Sequence, residues 1–223
     1  MHRRLTISEL RYIEPPNRII AGTWGRDFAN HLLDFVWRAY DLWRAEVLSK
    51  IDATKAADDL ERDITEALER RIRRVMSGYE PFTVQHGPYE RETRQPAPYQ
   101  PPQYDIAFVL NDNERFMWPL EAKVLKTDKE SAVKAYAADI NEQFLTCRYA
   151  PFSGEGAMLG YLFSGNPTKA FLSIEAEVPC TLQDYPAFAV RDHKTSDHIR
   201  KVPDAKAYPP AFRCHHLILR ITV

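Results

Sequence analysis

The chain has 223 residues, 44% of them hydrophobic and 12% aromatic, enough to bury a sizeable core in a single domain. Lys and Arg number 30 against 31 Asp and Glu, a formal net charge of −1. Bulk charge therefore does not advertise a nucleic-acid binder, and any basic surface must be local. The three cysteines, Cys147, Cys180 and Cys214, are widely spaced and odd in number, which argues against a disulfide framework and for a reducing, cytoplasmic setting. The opening MHRRLTISEL has no apolar signal core, and no apolar run is long enough to span a bilayer, so a soluble intracellular protein is expected.

Residues 1 to 23 read as a short extended piece with a turn at Glu14-Pro15-Pro16-Asn17. From Trp24 to about Ser49 the spacing turns helical: Trp24, Phe28, Leu32, Phe35, Ala39, Leu42 and Trp43 form one broad stripe, either core or a docking face. A second helix is predicted from about Thr54 to Met76, ended by Ser77-Gly78, with Leu60, Ile64, Leu68, Ile72 and Val75 inward. Glu61 borders that face, and Arg70, Arg71, Arg73 and Arg74 suit the C-terminal dipole. Glu80 to Glu92 reads as the first strand, with His86 either approaching a functional site or, as the preferred reading, structural, and the Pro-rich Thr93–Pro102 as an exposed loop.

The stretch from Pro101 to Leu125 carries the strongest signal. Tyr104–Leu110 and Arg115–Leu125 are apolar, extended runs joined by Asn111-Asp112-Asn113, residues that tolerate left-handed backbone. Period two puts Glu121 and Lys123 on one side, with Ala122 opposite. Pairing across the turn brings Asp105 level with Glu121. Such charges on apolar strands are costly unless compensated, and hard carboxylate oxygens point to Mg²⁺ as the compensating ion. The plainer alternative is an edge-strand pair that blocks aggregation.

A helix is then predicted from Asp128 to about Cys147, with Val133, Tyr136, Ala137, Ile140 and Phe144 inward and Gln143 beside them. Ala157–Phe163 is a continuous apolar run, expected of a strand covered on both faces, and Asn166-Pro167 caps a helix to about Glu177. Residues 179 to 211 are predicted to be irregular, with a basic loop from Arg191 to Lys201. Phe212–Val223 closes as a strand. Cys214 and His216, with His193 or His198, raise a zinc reading that lacks paired ligand spacing.

Asp105 with Glu121-Ala122-Lys123 resembles the PD-(D/E)XK nuclease superfamily, with Tyr104 where the motif has proline. The order helix, three strands, helix, strand is similar to that superfamily's core over residues 56–223, leaving 1–55 as an N-terminal helical extension. The resemblance implies an α/β, restriction-endonuclease-like mixed central sheet flanked by helices, and a Mg²⁺- or Mn²⁺-dependent endonuclease that hydrolyses phosphodiester bonds. It implies Asp105, Glu121, the Ala122 carbonyl and Glu61 as metal ligands, with Glu66 the second choice to Glu61, and Lys123 as the residue that orients water. Gln143 and Tyr136 would stand behind these ligands. Arg70, Arg71, Arg73, Arg74, Arg191, Lys194, His198, Arg200 and Lys201 are the expected phosphate contacts. DNA is favoured over RNA as the substrate by the superfamily's habits alone. The aromatic N-terminal stripe leaves open a homo-oligomer, or an effector subunit that needs a partner protein, as in a bacterial defence system. A non-catalytic binding module and an RNA-directed nuclease are the alternatives.

Overall fold

A computed structural model describes residues 26–46, 55–93, 100–126, 130–178 and 180–221. The Glu14–Asn17 turn, Trp24, the middle of the Thr93–Pro102 segment and Asp128 lie outside the described residues. The elements run α1 (Arg26–Glu46), α2 (Ala57–Val75), β1 (Phe82–His86), β2 (Ile106–Leu110), β3 (Met117–Lys126) and α3 (Glu130–Asp139), which passes into a π-turn at Ile140–Phe144. Then come β4 (Glu155–Ser164), α4 (Pro167–Glu177), β5 (Gln183–Asp184), a 3₁₀ turn at Pro186–Phe188, β6 (His193–Ile199) and β7 (Ala211–Arg220).

The strands form one mixed sheet in the order β1-β2-β3-β4-β7-β6-β5. β3, β4 and β7 are parallel neighbours, and all other pairings are antiparallel. Both faces are covered, which is why the central strands are apolar on both sides. On one face α1 and α2 bring Leu32, Phe35, Trp43, Ile64 and Leu68 against Phe108, Trp118, Tyr161 and Leu217. On the other, α3, the π-turn and α4 bring Tyr136, Ile140, Phe144 and Ile174 against Val109, Met158, Leu162 and Ile218. Each such apolar side chain contributes about 1.5–3 kcal/mol on burial. The stripe on α1 is therefore core rather than a docking face, and α1 shares that core with α2 and the sheet.

The central hairpin has the expected register, Ile106↔Leu120 to Val109↔Met117. Asn166 caps α4 by accepting the Lys169 N–H at 2.9 Å, ahead of Pro167. Three expectations need correction. The first strand is shorter than Glu80–Glu92: it stops at His86 because Gly87 turns at φ +67°, although a bridge between Tyr89 and Gln103 prolongs the pairing. The helix after β3 changes to a π-turn at Ile140, where the Leu145 N–H reaches back to the Ile140 carbonyl. The segment from 179 to 211 is not irregular, since Arg191–Lys201 contains β6 between β5 and β7. That strand buries His193, Thr195, Ser196 and His198, and a strand whose inward residues are polar leaves no trace in hydropathy.

Candidate active site

Strand β3 outruns β2. Its ladder with β2 ends at Ile106↔Leu120, while β3 itself continues to Lys126 against β4. The β2-side amides beyond that point have no strand to receive them, and buried backbone donors must be paired. Carboxylates do this. Asp105, one residue before β2, accepts the Ala122 N–H through Oδ2 at 2.7 Å. Glu61 accepts the Val124 N–H through Oε2 at 3.1 Å. Glu61 reaches this edge because it lies one turn before Ile64 and Thr65 on the buried side of α2, where Thr65 Oγ1 is 3.0 Å from the Tyr161 hydroxyl.

Lys123 stands among these carboxylates. Its Nζ donates to Glu61 Oε1 at 3.2 Å, to the Ala122 carbonyl at 2.9 Å and to Glu121 Oε1 at 3.5 Å. Asp139 Oδ2, from the end of α3, is 3.1 Å away as an ion pair but lies outside hydrogen-bonding geometry and has no other partner among the described residues. Glu121 is 7% exposed, and its Oε2 is buried without a partner among them. The same holds for the Gln143 side-chain oxygen.

The electrostatics follow from this crowding. Burial, reinforced by the Asp105 charge, pushes the Glu121 carboxyl well above its usual range. Burial likewise raises Asp105 and Glu61, with Lys123 opposing in both. Burial works against the Lys123 ammonium, yet Glu121, Glu61, Asp139 and Asp105 together outweigh it and hold its pKa above that of a free lysine. The Tyr149 phenol, raised by burial and then by Glu121 and Asp139, borders the same cluster.

Asp105, Glu121 and Lys123 thus meet as the strand spacing predicts, and Glu61 joins them as the resemblance implies, while Glu66 pairs instead with Arg70 on the outer side of α2. Tyr136 does not join them: its hydroxyl is 3.0 Å from His216 Nδ1, across a different part of the core. His86 is not packed as a structural histidine; it is exposed at the end of β1, and its positive form favours the Asp105 carboxylate. Asp139 was missed by sequence reasoning. Its signal is position, three residues after Tyr136 and four before Gln143 on the same helix.

The expected phosphate contacts are mostly committed elsewhere. Arg73 pairs with Glu69, and Arg71 donates to the Ala67 carbonyl at 2.7 Å. Arg191 holds Asp41 at 2.7 and 2.6 Å over the Trp37 ring, and Lys194 holds Asp184 at 2.6 Å. His198 and Arg200 are buried and present nothing to a phosphate at the surface. Arg74 and Lys201 are exposed. The zinc reading also fails, because both ring nitrogens of His216 are engaged, one by Tyr136 and the other by Ser196 Oγ at 2.7 Å.

Two clefts of about 360 and 350 Å³ lie elsewhere, one beside Glu155 and Arg213, the other beside Phe171 and Lys194, and neither includes a residue of the carboxylate cluster. Among the described residues, no three His, Cys, Asp or Glu side chains converge as a ready metal cage, and no helix is long and apolar enough to cross a membrane. In comparisons with known proteins, no family model, curated protein or solved structure matches this chain.

Proposed function

We propose that this chain is a divalent-metal-dependent nuclease of restriction-endonuclease-like fold, hydrolysing phosphodiester bonds with DNA as the first substrate to test. One observation carries the reading: Glu61, Asp105, Glu121 and Asp139 gather with Lys123 at the stretch of β3 that β2 leaves uncovered. A cluster with no function would be expected to shed such costly groups.

The donor chemistry suits a hard divalent cation. All donors are oxygens, Glu121 Oε2 is buried and unpartnered among the described residues, and three of the carboxyls are held above their ordinary range. Asp105, Glu121, Glu61 and the Ala122 carbonyl are the residues that would hold the ion. When bound, it supplies Lewis acidity and a water of lowered pKa. The chain's own residues do the rest. Asp105 and Glu61 fix the open edge of β3 through the Ala122 and Val124 amides, so the site is built on rigid backbone. Lys123, kept charged by its neighbours, stabilises negative charge that builds on a phosphate and orients the attacking water.

The test is cleavage of plasmid, linear single-stranded DNA and RNA with Mg²⁺, Mn²⁺ or EDTA, by wild type, Asp105→Asn and Lys123→Ala. Metal-dependent cleavage that falls by about a hundredfold or more in both variants is the expected result. Undiminished cleavage by either variant, or none by wild type with any metal and substrate, rejects the reading.

A further inference from the structure

We infer that Lys123 is the resident cation of this site, and that Asp139 is the positioning residue that receives its ammonium when a divalent ion enters. The inference rests on the metal-dependent reading above and concerns how the site changes between its empty and loaded states.

The Lys123 Nζ is surrounded as a bound cation is. Oxygens from Glu61, Glu121, Asp139 and the Ala122 carbonyl lie at 3.2, 3.5, 3.1 and 2.9 Å from it. Three of these four groups are the same ones that would hold a metal. An ammonium and a divalent ion cannot share that point, since like charges a few ångströms apart in a buried site repel strongly. The carboxylates are splayed around a lysine.

The four partners differ in what they can do next. Glu61 is anchored by its second oxygen to the Val124 amide, and the Ala122 carbonyl is fixed by the backbone of β3. Glu121 is buried with Oε2 unpartnered, an oxygen still to be compensated after Lys123 has taken its share. Asp139 comes from the opposite layer to Glu61, on α3 rather than α2. Its Oδ2 accepts no hydrogen bond from the described residues, so it can take the ammonium fully. It also sits where α3 gives way to the π-turn, an irregularity frequent at functional sites. Moving Nζ toward Asp139 clears the space between Glu61, Glu121 and the Ala122 carbonyl without leaving the lysine unpaired.

The experiment measures Mn²⁺ affinity of the full chain by titration calorimetry in a two-by-two set: wild type, Lys123→Met, Asp139→Asn and the double variant. Lys123→Met is expected to bind Mn²⁺ about tenfold more tightly or better, because the competing cation is gone. Asp139→Asn is expected to weaken binding severalfold when Lys123 is present and to have no effect when residue 123 is Met. Should Lys123→Met fold poorly without metal, Lys123→Gln replaces it in the same comparison. Affinity that is unchanged or lower on loss of Lys123 overturns the proposal. Equal weakening by Asp139→Asn in both backgrounds makes Asp139 a direct ligand and overturns its positioning role. No Mn²⁺ binding by any of the four proteins overturns the metal-dependent reading itself, and this proposal with it.

Discussion

The Asp105 carboxylate accepts the Ala122 amide at 2.7 Å, at the point where β2 has ended and β3 goes on paired only with β4. One oxygen of this side chain is therefore structural, while the group as a whole belongs to the charged cluster. The two roles separate by substitution. Asp105→Asn keeps an acceptor for the Ala122 N–H and removes the charge, so the fold should hold while metal-dependent cleavage is lost. Asp105→Ala also orphans the amide and should cost about 1–3 kcal/mol of stability. Thermal denaturation beside the cleavage assay checks this. Equal stability of the two variants would mean that the Ala122 amide does not need Asp105.

Glu121 should be a residue whose removal stabilises the protein. Its carboxyl is raised well above the usual range, by burial first and by Asp105 second. A carboxyl raised in the folded state binds its proton more tightly there, so its contribution favours folding at low pH and is lost as pH climbs through the raised value. At pH 8 without metal the wild type carries that penalty, and Glu121→Gln does not. The variant should unfold at higher urea concentration at pH 8, by about 1 kcal/mol or more, with the difference shrinking toward pH 4.5. A Glu121→Gln protein less stable than wild type at pH 8 would contradict the direction of this shift.

The parts of this site that sequence could reveal are those fixed by local periodicity. The turn at Asn111–Asn113 and the alternation after it set the hairpin register, and that register alone puts Asp105 beside Glu121 and Lys123. The place of Glu61 on the flank of α2 was legible, but its role at the site came from the resemblance rather than from its position. Asp139 was not picked out, because the inward face was drawn through the apolar residues Val133, Tyr136, Ala137, Ile140 and Phe144, and a carboxylate whose partner is Lys123 on a distant strand carries no hydrophobic signal of its own. β6 was hidden for another reason: its inward residues are His193, Thr195, Ser196 and His198, whose burial depends on partners from β7 and α1. Long-range polar pairing of that kind has no short-range signature.

The buried histidines make the fold sensitive to acid. Burial holds His193 well below the ordinary imidazole value, lowers His198 and His215, and takes His216 down to about 3. Unfolded, each returns to about 6.5. A depressed folded value gives stability that is complete above pH ~6.5 and drains away below it, by up to about 1.4 kcal/mol per histidine per pH unit. Glu61, Asp105 and Glu121, raised by burial, pull the other way above their ordinary values. Glu121→Gln removes the most strongly raised of them, so its loss of stability between pH 7 and pH 5 should be steeper than that of wild type. Urea midpoints at pH 8, 6.5 and 5 test this. Imidazole NMR signals of the four histidines should titrate below the ordinary imidazole value in both proteins, His216 at about 3, and a buried ring that titrates at the ordinary value would be removed from the account.

Arg200 should matter for stability and not for phosphate. Its guanidinium is buried, and it donates to the carbonyls of Ser153 at 3.0 Å, Tyr149 at 3.3 Å and Ala150 at 2.8 Å. It lies 4.3 Å from the Phe212 ring centroid, and burial brings its pKa down to about 10, so it remains charged at neutral pH. The loop it holds includes Cys147 and Ala150 at φ +60° and +49°, conformations that side chains resist unless the surroundings fix them. A lysine cannot reach three carbonyls spread over five residues with the same fork. Arg200→Lys should therefore cost on the order of 3 kcal/mol, seen as a lower urea midpoint. Because the Tyr149 hydroxyl of this loop donates to the Gln103 carbonyl at 2.6 Å, two residues before Asp105, weaker metal binding should accompany it. The salt dependence of nucleic-acid binding should be unchanged in Arg200→Gln, which removes the charge, since a buried guanidinium releases no counterion from a phosphate. A shallower salt slope in Arg200→Gln would return Arg200 to the substrate-facing surface.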